Sequence, residues 1–345
     1  INSLPGNYNE SQRARARKAL QYEMQADLQA RESDGAGYVM RYNPALQRFA
    51  EENDLESLST KAMDLQKNLG IKNVRPLPNN IVQSSVYKIE NAELPEQAAD
   101  AYNYIVEASG RNAGIVMHQL VKEGNLSEEY LFLPNIPNPD VRKDLVKNIK
   151  NKESIEQIIK TNYSQEAKSI TTHLSANSEY KELVEGYMRA GDLSRSDSAA
   201  ALDNMIRLQA KKYISTGVKS EAAVDKAVKD IVSNNYFTPN QNFPTILPKR
   251  IPEGKGRYVE VNQNAVNDFI DTHSDKEYFR ELNLRVNNDF RRGFDNSNLN
   301  EEQLKDRYYW QLQNEAFWDL ASDKRSLILK VRKSQTGPFV AVQGM

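Results

Sequence analysis

Apolar residues recur at helical spacing through most of the chain, in short runs cut by single glycines or Asn-Pro steps. A turn-rich lead-in, residues 1–10, gives way to a helix capped by Ser11 and running to about Arg31, ended by Gly35 and Gly37. Asn43 before Pro44 is a cap with proline at the first helical position, opening a broken helical stretch to Leu69. Pro76 and Pro78 mark a linker. Helices are predicted over 95–110 and 112–123, then a stiff connector at 131–139, then a helix from Asn138–Pro139 to about Lys150. Further helices are expected over 153–174, 178–190 and 197–216. Gly191 and Gly217 stand just past their ends, where left-handed backbone is wanted. Ser220 caps another, to about Asn235.

The pattern changes at Tyr236. Residues 236–256 carry four prolines and two glycines between β-prone pairs (Tyr236–Phe237, Ile246–Leu247). RYVEV (257–261) reads as a strand, Asn262 caps a helix to Asp271, and 273–306 is polar and helical, broken around Gly293. Three strands are expected at the end: YYWQLQN (308–314), SLILKVR (326–332) and PFVAV (338–342). The expected fold is mainly α, an irregular array of short helices followed by a small C-terminal antiparallel β module, α+β overall. The expected domains are a helical segment over 1–75, a central helical domain over 76–235 and a mixed module over 236–345.

Composition narrows the chemistry. With 39% hydrophobic and 27% charged residues, the chain is polar but foldable. It suits thin helical layers whose burial is completed by further copies. The net charge of −1 supplies no global field for nucleic acid, though local basic faces remain open to it. The absence of cysteine removes disulfides, thiolate chemistry and Cys-containing zinc sites. No stretch has the length of a membrane span. The first residue is Ile, which suggests a processed product or the ordered part of a longer chain.

No phosphate loop, HExxH, GxSxG or GxGxxG occurs. His118, His173 and His273 are far apart. Asp271, His273 and Asp275 have a ligand-like spacing, but they read better as helix end, turn and next cap. The sequence therefore predicts no catalytic residue, no metal and no cofactor in residues 1–345.

Basic residues form local groups: Arg13, Arg15, Arg17 and Lys18; Arg207, Lys211 and Lys212; Arg285, Arg291 and Arg292; and Lys324, Arg325, Lys330, Arg332 and Lys333. In a ring of copies each group becomes a ring of charge suited to sequence-neutral phosphate contacts. Ordinary solvated residues balanced by nearby acids explain the same pattern. Arg207, Lys211, Lys212, Lys330, Arg332 and Lys333 are the candidate DNA-facing set. The first group also puts positive charge at the wrong end of its helix, which calls for an anionic partner if it is more than a solvated face. Tyr308, Tyr309, Trp310, Phe317 and Trp318 form the densest aromatic cluster, readable as module core or as interface anchors.

Four stretches carry a resemblance: NYIVEASGRNAGIVMHQL (103–120), YKELVEGYMRAGDLSRSDSAAALDNMIRLQAKKYI (180–214), AVKDIVSNNYFTPNQNFPTILPKRIPEG (227–254), and the tail from Tyr309 into a strand ending in basic residues. In order and pattern, over about two thirds of the chain, they resemble the internal virion (ejection) proteins of short-tailed phages, in the C-terminal part of the middle-sized core protein. The chain departs from that family's usual ending, a long basic helix. The resemblance implies a structural protein that oligomerises in the capsid core and, after ejection into the host envelope and periplasm, helps form a conduit for DNA. It implies as partners copies of itself in a ring or tube, other internal virion proteins, the portal, phage DNA through sequence-neutral contacts, and the host envelope. Two alternatives stand beside it: the non-catalytic C-terminal part of a larger virion enzyme, with a lytic transglycosylase or polymerase upstream, and a portal or tail adaptor.

Overall fold

Asn43 and Asn138 each turn a side-chain oxygen onto amides that the following helix cannot pair. Asn43 accepts from Ala45 N at 3.0 Å, and Asn138 from Asp140 N at 2.9 Å. Proline follows both, at a position where its missing N–H costs nothing. The computed structural model describes residues 10–185, 193–239, 241, 245–254, 256–285, 300–320, 326–332 and 339–342. The lead-in over residues 1–9, Gly191, Gly293, Arg291, Arg292, Lys324, Arg325 and Lys333 lie outside them.

The helices run α1 Glu10–Ser33, α2 Gly35–Arg41, α3 Pro44–Glu51, α4 Leu55–Asn68, α5 Asn79–Glu90, α6 Pro95–Ser109, α7 Ala113–Lys122, α8 Pro139–Lys150, α9 Lys152–Asn162, α10 Ser164–Lys168 and α11 Ile170–Ala176. Then come α12 Ser178–Tyr180, α13 Leu193–Ser215, α14 Ser220–Val228, α15 Gln263–Thr272, α16 Lys276–Arg285 and α17 Glu301–Glu315. Strands β1 Tyr236–Phe237 and β2 Leu247–Pro248 pair antiparallel, as do β3 Arg250–Gly254 and β4 Arg257–Glu260. β5 Phe317–Leu320, β6 Leu327–Arg332 and β7 Phe339–Ala341 form an antiparallel meander. The mainly α fold with a small C-terminal β module is as the sequence implies.

Two apolar cores are present among the described residues. The larger runs from Ala36 to Ile246 and joins α2 to α14 with β1. Its long middle helices, α6 and α13, bury Tyr102, Ile105, Leu202, Ile206 and Ile214 almost completely. The smaller holds Ile270, Phe279, Tyr308, Leu312, Trp318, Leu329 and Val331, from α15, α16, α17 and the meander.

Several expectations fail locally. Ser11 lies inside α1, whose first residue is Glu10, rather than capping it. Residues 308–314 are helix, the second half of α17, not strand. Asn300 and Gln303 form a reciprocal capping box, and Leu304, Tyr308, Gln311 and Leu312 are buried at helical spacing. The alternation read there spans too few residues to outweigh that cap. The first strand of the meander is instead Phe317–Leu320. Gly35 and Gly37 begin α2 rather than ending α1, because Asp34 caps that helix by accepting from Gly37 N at 3.0 Å. Ser220 is the first residue of α14, not its cap; its amide is taken by Glu166 at 3.0 Å.

One close approach requires glycine on both sides. Gly110 (φ +49°), at the end of α6, meets Gly254 (φ +94°), at the end of β3. A Cβ on Gly110 would lie 3.0 Å from the Gly254 Cα and on top of the Glu56 carboxylate.

Candidate nucleic-acid interface

The sequence-predicted cations fall into differing surroundings. Arg207, on α13, donates from Nε to Asp203 at 2.8 Å and from Nη1 to Thr171 at 2.9 Å. Burial works against its charge, but the Asp203 hydrogen bond and charge prevail and raise its pKa. Asp203 also accepts from the Tyr180 hydroxyl at 2.7 Å. Lys211, one turn on, pairs with Glu156 of α9 at 3.0 Å. Lys212 is half-buried and has no ion pair among the described residues. Lys330, on β6, is paired at 2.9 Å with Asp319 of β5, a carboxylate that is itself buried. Arg332 ends β6, and Lys333 lies outside the described residues. Thus Arg207, Lys211 and Lys330 each have a carboxylate of the same chain within salt-bridge distance.

The remaining described group differs. α1 buries no residue, although it is 24 residues long, about 36 Å at helical rise. It is moored at its C-terminal end. Arg75 and Asn79 donate to the Ser33 carbonyl, and the Arg31 guanidinium lies 5.0 Å over the Tyr38 ring. Its N-terminal half carries Arg13, Arg15, Arg17 and Lys18, all exposed. None of these four makes an ion pair among the described residues; Lys18 lies 5.8 Å over the Tyr22 ring. At 100° per residue the four side chains point around the helix rather than along one stripe. Glu10 is the lone acid of the first turn. Four cations beside the positive end of a helix repel one another and the macrodipole, and an anion seated there relieves both.

The aromatic cluster divides. Tyr308, Phe317 and Trp318 are buried, and Trp318 donates from Nε1 to Ser274 at 3.2 Å. Tyr309 is half-buried, its hydroxyl donating to the Lys276 carbonyl at 3.2 Å. Trp310 is 56% exposed on the outer face of α17. The Asp271, His273, Asp275 stretch closes on the backbone. His273 Nδ1 lies 2.7 Å from the Phe269 carbonyl, and Asp275 caps α16 by accepting from Tyr278 N at 2.6 Å. No set of three metal-ligating side chains converges among the described residues, and no described helix is long and apolar enough to cross a membrane.

The structure also places Arg142 and Tyr258 where the sequence raised no site. Arg142 is 1% exposed, and its guanidinium donates to Asn103 Oδ1 at 2.9 Å, to the Ile136 carbonyl at 2.6 Å and to the Tyr258 hydroxyl at 2.5 Å. Burial raises the Tyr258 pKa against the opposing charge of Arg142. These contacts hold a β-hairpin to a helical body, and Nη2 of the same guanidinium lies 3.9 Å from the Glu107 carboxylate.

No protein family, characterised protein or solved structure matches this chain. The functional reading rests on the chemistry of its own surface.

Proposed function

We propose that the protein is a structural component of a phage particle, an internal virion or ejection protein that oligomerises in the capsid core and helps form a conduit for the genome across the host envelope. The observation that carries this reading is α1. It is a long helix that buries no residue and whose N-terminal cations Arg13, Arg15, Arg17 and Lys18 make no ion pair among the described residues, on a chain whose Arg207, Lys211 and Lys330 are answered locally. Repeated around a ring of copies, four such cations per chain make a collar of positive charge with no base-reading geometry. That suits double-stranded DNA passing lengthwise, because every phosphate is equivalent to it. The resemblance of 103–120, 180–214 and 227–254 to the ejection proteins supports the same reading. Other internal virion proteins, the portal and the host envelope are the further partners it implies.

Electron microscopy of the purified chain and of particles containing it, together with duplex binding at several salt concentrations, tests the proposal. It expects a cyclic assembly and weak, sequence-neutral, salt-sensitive binding. A chain that stays monomeric both at high concentration and in the particle, or one that ignores DNA at low salt, overturns it.

A further inference from the structure

The two cores close separately. The larger ends at Ile246 in sequence and the smaller begins at Ile270; no residue of β3 or β4 belongs to either. Within that hairpin only Pro252 and Gly254 are buried, and every β4 residue is at least partly exposed. What ties it to the helical body among the described residues is mostly polar. The Tyr258 hydroxyl donates to the Pro134 carbonyl at 3.0 Å and accepts from Arg142, while Gly254 rests against Gly110 beside the Glu56–Arg111 pair. At its base Lys249 donates from its amide to Asn235 O at 2.7 Å and from Nζ to Ser233 O at 2.6 Å.

A second tie reaches the smaller core directly. The Gln241 side-chain amide pairs with the backbone of Trp318 on β5. Its Nε2 donates to the Trp318 carbonyl at 2.8 Å, and its Oε1 accepts from the Trp318 amide at 2.8 Å. The Thr245 hydroxyl donates to the same carbonyl at 3.2 Å.

We infer that the β3–β4 hairpin is a releasable strap: the C-terminal module leaves the helical body as a unit when the Tyr258 latch and the Gln241 clamp open, with both cores intact. Each hydrogen bond lost on opening is replaced by one to water, so its net cost is a small fraction of its gross strength. Opening at the hairpin exposes little apolar surface, whereas opening either core exposes much. Segments with that balance open below the global unfolding threshold, as cooperative units. The two ties are distant in sequence from the groups they hold, Tyr258 from Arg142 by 116 residues and Gln241 from Trp318 by 77. They therefore report docking of the module and not local turn formation. The inference stands apart from the DNA reading and survives its failure.

Hydrogen exchange of the full chain under native conditions tests it. In the wild type the amides of β3, β4 and Trp318 are expected to exchange faster than those of α6 and α8, while β6 stays protected. Tyr258→Phe, which removes one hydroxyl, and Gln241→Ala, which removes both bonds to Trp318, are expected to speed exchange at the hairpin and Trp318 about three- to tenfold, leaving α6 and α8 unchanged. Hairpin amides that exchange at the α6 and α8 rate in the wild type overturn the strap. So does either variant accelerating the hairpin and those helices equally, since opening is then global.

Discussion

Arg142 Nη1 and the Tyr258 hydroxyl meet at 2.5 Å, joining the inner face of α8 to the β3–β4 hairpin. The two residues do unequal work. Arg142 also satisfies Asn103 and the Ile136 carbonyl inside the helical body, whereas Tyr258 serves the hairpin. Arg142→Met keeps the aliphatic stem but strands those acceptors in a buried site. The expected loss is about 3 kcal/mol of body stability. Tyr258→Phe is expected to cost the body less than about 1 kcal/mol. Urea titration followed by far-ultraviolet dichroism compares them. Equal losses would show that the hairpin is an integral part of the body.

The two tryptophans give a second contrast. Trp318 is 1% exposed at the centre of the smaller core, and Trp310 is 56% exposed, seven positions from the start of β5. Trp318→Ala is expected to cost about 3–5 kcal/mol. Trp310→Ala is expected to stay within about 0.5 kcal/mol in the isolated chain. In a Trp318→Phe background, acrylamide should quench Trp310 freely in dilute protein. If Trp310 is an interface anchor, that quenching falls as copies assemble. Unchanged quenching across assembly would remove the interface role from Trp310.

Much of this fold is legible in sequence because local signals decide it. Asn43–Pro44, Asn138–Pro139 and Asn262 each start a helix where the cap chemistry says so. The strand misreading at 308–314 shows the converse. Tyr308, Trp310 and Leu312 alternate, yet Asn300 and Gln303 upstream had already committed the segment to helix. Arg142 was missed although a signal existed, a charge at helical spacing with Leu145, Val146 and Ile149. A charge so placed must find partners, but its partner Tyr258 lies in another element, and no periodicity reaches that far. The basic groups were visible as groups. Which of them meet acids depended on α9 packing beside α13 and on the register of β5 against β6.

Alkaline stability follows from the buried phenols. Burial raises the pKa of Tyr102, Tyr130, Tyr180 and Tyr236 well above the ordinary value, and burial with a hydrogen bond to Asp230 lifts Tyr213 to about 12. The folded state holds these protons more tightly than the unfolded chain. Their contribution is therefore fully present below the unfolded value near 10 and is lost as pH rises through the folded values. Stability is expected to be insensitive to these groups from pH 7 to about 9 and to fall steeply above about 10. Phenolate absorbance from the buried set should then appear together with loss of helix. Their smooth ionisation near pH 10 with dichroism unchanged would show that these rings reach solvent in the native state.

The last prediction separates α1 from the other cations. Arg13, Arg15, Arg17 and Lys18 make no ion pair among the described residues, so neutralising them changes charge with no described ion pair broken. Replacing all four by Gln is expected to leave folding unchanged, since α1 buries nothing. If each neutralises one phosphate, the slope of log affinity against log salt should shrink by about 3.6 per copy. Arg207→Gln and Lys211→Gln pose the opposite case. Each frees a carboxylate, Asp203 or Glu156, and so adds repulsion as well as removing attraction. Their combined effect on the slope is expected to be under about 1, with a measurable cost in stability because Asp203 is left partly buried beside Tyr180. A salt slope unmoved by the α1 variant and collapsed by the α13 pair would transfer the DNA contact to the helix face first read from the sequence. Under the proposed function, particle assembly and genome delivery, scored side by side for both variants, separate a contact that serves packaging from one that serves exit.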